Sequence, residues 1–329
     1  MNLLITGGTG FFGRALIKYL EAERLSTGAL PFEQITVLSR SPEKFSLSYS
    51  ALANLAWIRW HAGDVLNPDS LPQQNFSHIL HAAADSTDAA ALTPLQRYQQ
   101  IALGTQNILD FAVQHRTQRF LLTSSGGVYG PQPDGMAFIP ETYNGMPDPL
   151  LLSSTYGIAK RQAEHLCTLY GEQYGIETVI ARCFAFVGED LPLHAHFAIG
   201  NFIRDALWHE AITVGGDGTP LRSYLDQLDL AHWLICLLLQ GQPGQAYNVG
   251  SDVAISVADL AFLVRDTLAP RKSVHILRVP DQQRQRNRYI PSIEKARTDL
   301  QLDVRIALQQ AITHTAEIRS REQERLNGS

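Results

Sequence analysis

Cysteine is scarce in this 329-residue chain. Cys167, Cys183 and Cys236 stand far apart in an odd number, without the paired spacing of a metal site or the density of a disulfide framework. That scarcity argues against a disulfide-stapled secreted fold and fits a reducing, cytoplasmic setting. A basic surplus is also lacking: 27 Lys and Arg face 32 Asp and Glu, a net charge of −5. Nothing in that balance drives the chain onto nucleic acid or an anionic membrane. The longest apolar run, 233–239, falls far short of the roughly 20 residues a membrane span requires and reads as a buried helix. No basic region precedes the apolar opening, so residues 1–6 read as a strand and not as a secretory signal. His194 and His196 lack carboxylate or cysteine partners at ligand spacing, so no metal site is expected. Repeats and low-complexity linkers are missing too.

What is present is an alternation of short apolar runs with longer helical patterns. Strands are expected at 2–6, 35–39, 56–60, 78–81, 119–123 and 178–182, with helices at 11–24, 95–114 and 155–174. The apolar runs show little polar alternation, as expected for strands covered on both faces. The order implies an α/β fold with a doubly wound parallel sheet of the Rossmann kind. After about residue 182 Pro, His and Gly become frequent and periodic elements shorten. One more strand, 245–249, is placed to rejoin the sheet. The expected division is a dinucleotide-binding domain of residues 1–184 plus about 223–251. A smaller discontinuous C-terminal lobe for substrate would take about 185–222 and 252–329.

The first strand runs into Gly7-Gly-Thr-Gly10-Phe11-Phe12-Gly13 and then a helix. Gly8, Gly10 and Gly13 satisfy one dinucleotide spacing, and Gly7, Gly10 and Gly13 a second with three-residue steps. Glycine is needed there for a tight turn, for backbone approach to a pyrophosphate and for close helix–strand packing. The pyrophosphate then meets the free amides at the start of the helix. At the end of the second strand an NAD site would place a carboxylate. Here the strand ends in Ser39-Arg40, with no acidic residue before Glu43. An arginine fork beside a hydroxyl suits a 2′-phosphate, so the expected cofactor is NADP, with NAD as the alternative.

Tyr156-Gly-Ile-Ala-Lys160 sets a phenol and an ammonium on one face of a helix. A nearby cation would favour the phenolate and bring proton exchange toward neutral pH. An earlier apolar strand ends in Thr123-Ser124-Ser125, and the carboxyl ends of parallel strands face the ligand crevice. Ser125, Tyr156 and Lys160 are therefore the expected catalytic residues.

With those motifs the chain resembles an extended short-chain dehydrogenase/reductase of the NAD-dependent epimerase/dehydratase family that modifies nucleotide sugars. The likeness also takes in Gly63-Asp64-Val65, His81-Ala-Ala-Ala84, Gly104-Thr105, Ala181-Arg-Cys-Phe184, Gly216-Asp-Gly-Thr219 and Tyr247-Asn-Val-Gly250. It implies that Ser125 holds a sugar oxygen, that Tyr156 is the acid/base, and that Lys160 binds the nicotinamide ribose. It further implies Asp64 and Val65 beside the adenine, and Ala82, Ala83 and Phe184 lining the cofactor trough. Asn201 and Arg222 would hold the nucleotide diphosphate, with His196 and Arg278 as further substrate contacts. A homodimer through helices 95–114 and 155–174 is implied in the same way.

Departures from the family pattern narrow the chemistry. A dehydratase would carry two carboxylic side chains directly after the catalytic hydroxyl; here stand Gly126 and Gly127. Ile101 replaces the usual asparagine before Gly104-Thr105. The expected activity is reduction of a nucleotide-linked 4-keto-6-deoxyhexose, with a 4-epimerase holding NAD tightly as the alternative. A non-sugar ketone reductase and a non-catalytic dinucleotide sensor stand further off.

Overall fold

The computed structural model describes residues 1–84, 92–195, 197–281 and 286–327. Seven strands form one parallel sheet: β1 (Asn2–Thr6), β2 (Gln34–Ser39), β3 (Ile58–Ala62), β4 (His78–His81), β5 (Arg119–Ser125), β6 (Glu177–Cys183) and β7 (Gln245–Val249). Their spatial order is β7-β6-β5-β4-β1-β2-β3. The fold is doubly wound, as the alternation of elements requires.

β1 shows why the fold forms. Its side chains alternate between two apolar layers, and Leu3, Leu4 and Ile5 are all fully buried. Leu3 and Ile5 pack with Leu16, Leu20 and Val37 on one face. Leu4 packs with Ile79, Ile108, Phe120 and Leu122 on the other. Each such side chain contributes about 1.5–3 kcal/mol by leaving water. A strand apolar on both faces has no stable place except between two helix layers.

Two expected strands differ from the observed ones by two residues, and two more by one residue at one end or both. The third runs 58–62, not 56–60, because the amide of Ile58 closes a turn onto the Leu55 carbonyl. It is also an edge strand whose residues beyond Ile58 are only partly covered, so no apolar run marks it. The fifth extends to Ser125, which makes that serine the last residue of β5. The helix Pro94–Gln114 starts with a capping box: Thr93 Oγ1 accepts from the Gln96 amide, and Gln96 Oε1 accepts from the Thr93 amide.

The chain reverses direction across the sheet between β1 and β4, which opens a crevice at their carboxyl ends. β7 joins β6 in parallel, as expected. The segments before and after β7 are tied together by backbone pairing. Ala211–Val214 lies parallel to Ser273–Ile276, and Leu221–Arg222 sits between Ile255–Ser256 and Arg288–Tyr289. Among the described residues no helix is long and apolar enough to cross a membrane.

Candidate active site

A cavity of about 770 Å³ opens along the carboxyl edge of the sheet, from the glycine turn after β1 to the ends of β5 and β6. At Gly7 and Gly13 of that turn only glycine fits. Gly7 has φ +75°, and a Cβ there would lie 2.5 Å from the Ala82 carbonyl oxygen. The loops after β1 and β4 therefore touch. A Cβ on Gly13 would lie 2.2 Å from the Gly8 backbone, so the helix Phe11–Thr27 approaches the turn directly. Gly13 serves this packing and does not itself line the cavity. Gly7, Gly10, Phe11 and Phe12 do line it. A bare backbone cradle running into a helix N-terminus fits the pyrophosphate of a dinucleotide.

Ser39, Arg40, Asp64, Val65, Ala82 and Ala83 continue the same wall. Glu43, the nearest carboxylate in the chain after β2, sits exposed in the helix Pro42–Ser48, away from the cavity. Among the described residues, four cationic side chains line the cavity, Arg40, Arg97, Lys160 and Arg222, against one carboxylate, Asp64. In a chain with net charge −5 this concentrates positive potential where phosphate-bearing ligands would enter.

The helix Thr155–Tyr174 brings Tyr156 and Lys160 to the far end of the cavity, beside Ser125. Lys160 is buried, and its Nζ donates to the Thr123 carbonyl at 2.7 Å. Burial lowers its pKa to about 8, opposed by Cys183 and Glu164. The ammonium lies 5.9 Å from the Tyr156 ring centre. The expectation that a cation brings the phenol toward neutral pH does not hold for the protein by itself. Burial raises the Tyr156 pKa well above the ordinary phenol value, and Tyr289 and Cys183 add to it. A hydrogen bond with Ser125 and the charge of Arg97 oppose the rise without overcoming it. Desolvation of the phenolate outweighs both, so Tyr156 is held protonated.

Not every expected residue reaches the cavity. Asn201 lies in the helix Ala198–Trp208, where its Oδ1 accepts from Arg204 at 3.3 Å. The turn before it, Phe197 to Ile199, lines the wall in its place. Arg278 is exposed beyond the strand Ser273–Ile276 and does not line the cavity. His196 lies outside the described residues. Arg222 and Phe184 line the cavity. Burial lowers the Arg222 pKa, yet a guanidinium stays charged at any physiological pH.

Sequence reasoning missed Arg97, Gln100, Tyr224 and Tyr289, all of which line the cavity. Arg97 and Gln100 are three apart near the start of the helix after β4, so their common face was available as a signal. Tyr289 had no local signal, because it reaches Ser125 only through the tertiary fold. Its hydroxyl would lie 2.6 Å from a Cβ on Gly126, and the Phe184 ring would lie 2.7 Å from the same atom. The phenol thus fills the space where a carboxylic side chain after Ser125 would stand.

The parallel sheet, the glycine cradle and the tyrosine–lysine helix together are the architecture of the extended short-chain dehydrogenases/reductases. Residues 3–250 match the NAD dependent epimerase/dehydratase family, and the chain belongs to that family. It is 29% identical over 318 residues to UDP-glucuronic acid decarboxylase 3 of Arabidopsis thaliana, covering 95% of this chain and 87% of that protein. Among solved structures it shares the fold of a dTDP-glucose 4,6-dehydratase double mutant from Streptomyces venezuelae with NAD bound, at TM-score 0.82 and 22% identity, covering 98% of each chain. It also shares the fold of RMD from Pseudomonas aeruginosa complexed with NADPH, at TM-score 0.78 and 24% identity, covering 97% of this chain and 99% of that one.

Proposed function

We propose that this protein is an NADP(H)-dependent oxidoreductase that reduces the C4 ketone of a nucleotide-linked 6-deoxyhexose. The observation that carries the reading is the end of β5. A protonated Tyr156 and the Ser125 hydroxyl stand together there, and Gly126 and Gly127 offer no carboxylate for dehydration. Relatives that modify nucleotide sugars support the substrate class. A dinucleotide held by Gly7, Gly10, Phe11, Phe12, Ser39, Arg40, Asp64, Val65, Ala82, Ala83, Lys160 and Phe184 would supply the hydride. The absence of a carboxylate from the cavity wall after β2, with Arg40 in that place, favours the 2′-phosphorylated form.

The protein's own residues handle the proton. Ser125 orients the ketone oxygen, and Tyr156 gives its hydroxyl proton to that oxygen as it gains charge. Because burial favours the phenol over the phenolate, a compensating cation must face it; Arg97 and Lys160 are placed to do so. Arg222 meets the diphosphate of the nucleotide. The segments that pair around Leu221–Arg222 would form the smaller substrate lobe. Exposed leucines Leu95, Leu103 and Leu169, on the helices Pro94–Gln114 and Thr155–Tyr174, support a homodimer through that helix pair.

The test is consumption of NADPH, equal in amount to product, with a panel of nucleotide 4-keto-6-deoxyhexoses. Turnover of a 4-hydroxy nucleotide sugar with bound NAD and no net consumption overturns the reading in favour of a 4-epimerase.

A further inference from the structure

Arg14 stands one turn into the helix Phe11–Thr27, behind the glycine turn, and does not itself line the cavity. Its side chain is only 12% exposed and grips two distant stretches of chain. Nη1 donates to the Thr9 carbonyl at 3.0 Å, Nε to Asp190 Oδ1 at 2.8 Å, and Nη2 to the Asp190 carbonyl at 2.7 Å. Thr9 belongs to the turn and lines the cavity. Asp190, buried, is held from the other side as well. Its amide donates to Gln227 Oε1 at 3.0 Å, and its Oδ2 accepts from Gln227 Nε2 at 3.2 Å and from Lys18 Nζ at 2.9 Å. Lys18 also pairs with Glu189 at 2.9 Å, so two cations balance two carboxylates. The next residue, Leu191, lines the cavity. After it comes Pro192, whose carbonyl oxygen would lie 3.1 Å from a Cβ on Gly200, so the helix Ala198–Trp208 packs against it. Phe197, Ala198 and Ile199, at the start of that helix, complete the same wall.

We propose that Arg14 and Asp190 are positioning residues that tie the dinucleotide turn to the wall met by the second ligand, so that the two halves of the cavity fill cooperatively. A guanidinium is a rigid planar fork, and groups bound to its different arms keep one spacing. A dinucleotide seated on the turn restrains Thr9, and through Arg14 it restrains Asp190, Leu191 and the start of the helix Ala198–Trp208. A ligand that meets this wall then orders less chain on binding, and its affinity rises. Linkage makes the effect mutual: each ligand strengthens the other by the same factor. The inference rests on the reading of the cavity as a site for a dinucleotide and a nucleotide-linked sugar.

The probes are NADPH, NADH, UDP and dTDP, titrated calorimetrically into the full chain, alone and with the other kind of ligand at saturation. In wild type a bound dinucleotide should lower the Kd of a nucleoside diphosphate roughly 5- to 20-fold, with an equal reciprocal change. Arg14→Met combined with Asp190→Leu removes the tie and leaves no lone buried charge, since Lys18 and Glu189 keep each other. In that double variant the factor should drop below about twofold, with Arg14→Lys, a cation without the fork, in between. A pair with a merely structural part would weaken each ligand singly and leave the factor unchanged, which overturns the proposal. A wild-type factor of one overturns it too. Hydrogen exchange supplies a readout that needs no nucleotide: amides of 197–203 should exchange faster in the free double variant than in free wild type. Equal exchange there also sinks the tie. If neither NADPH nor NADH binds wild type, the reading of the cavity has failed, and the exchange comparison alone judges Arg14 and Asp190.

Discussion

The Nδ1 of His81 lies 2.7 Å from Thr6 Oγ1, so an imidazole bridges the ends of β1 and β4 at the floor of the crevice. Its Nε2 lies 3.2 Å from Thr105 Oγ1 in the helix Pro94–Gln114. Burial first, and then the charge of Lys160, lower its pKa to about 3. An unfolded histidine takes up a proton near pH 6.5, whereas the folded one refuses it. Its stabilising contribution is therefore complete above about pH 6.5 and declines as pH falls toward 3, by about 1.4 kcal/mol per pH unit. Asp226, raised to about 6 mainly by burial, works with the opposite sign. A comparison of variants isolates the histidine: denaturant midpoints of wild type should fall more steeply between pH 6.5 and 4 than those of His81→Asn. Parallel slopes refute the assignment.

Gly7 and Gly135 both have positive φ, +75° and +79°, but only Gly7 is crowded, by the Ala82 carbonyl. Gly7→Ala must therefore move the loop after β4, while Gly135→Ala carries only the strain of a left-handed alanine, about 1–2 kcal/mol. Gly7→Ala is expected to abolish dinucleotide binding in calorimetry, with Gly135→Ala binding as wild type. Equal affinity of the two variants shows that the cradle is not the binding surface.

How much could be read from the sequence depended on whether the cause was local. β1, β4 and β7 have the expected bounds, and in β1 the cause is plain, since Leu3, Leu4 and Ile5 form an unbroken apolar run covered on both faces. β3 slipped by two residues because Arg59 and His61 break any such run. The glycines, Ser125, Tyr156 and Lys160 were legible since spacing along one strand or helix turn determines where they point. Asn201 was one turn too far along its helix, where Arg204 engages it. Tyr289 was invisible because packing among distant elements brings it to the cavity, whereas Arg97 shares a helix face with Gln100 that went unused as a signal. The direction of the Tyr156 shift was missed for the same reason: burial is a property of the fold and not of a tyrosine–lysine spacing.

Arg40 decides the cofactor form if the reading of β2 holds. Arg40→Glu replaces a cation beside the ribose by the carboxylate that an NAD site would carry. A charge-assisted hydrogen bond is worth about 1.5–3 kcal/mol, so the Kd for NADPH should rise roughly 10- to 100-fold while that for NADH holds or improves. Salt should weaken NADPH binding to wild type more than to the variant. A variant that loses both dinucleotides equally points to a structural part for Arg40.

Arg97 and Tyr156 offer the most direct test of the proton step. Among the described residues, Arg97 Nε and Nη2 are buried without a hydrogen-bond partner, on a side chain that lines the cavity. Leaving donors of a permanent cation unsatisfied is costly, and the charge acts on the Tyr156 phenol. The arrangement makes sense if an anion forms there during turnover, and the phenolate left by proton donation is such an anion. Tyr156→Phe should lower kcat by roughly 10²–10⁴-fold, with dinucleotide affinity kept. Arg97→Met should lower kcat by a smaller factor, roughly 10- to 100-fold, with Arg97→Lys in between, since a point charge lacks the guanidinium fork. In the Tyr156→Phe background no phenolate can form, so Arg97→Met should then change kcat little. Full additivity of the two substitutions means that Arg97 serves the substrate and not the phenol.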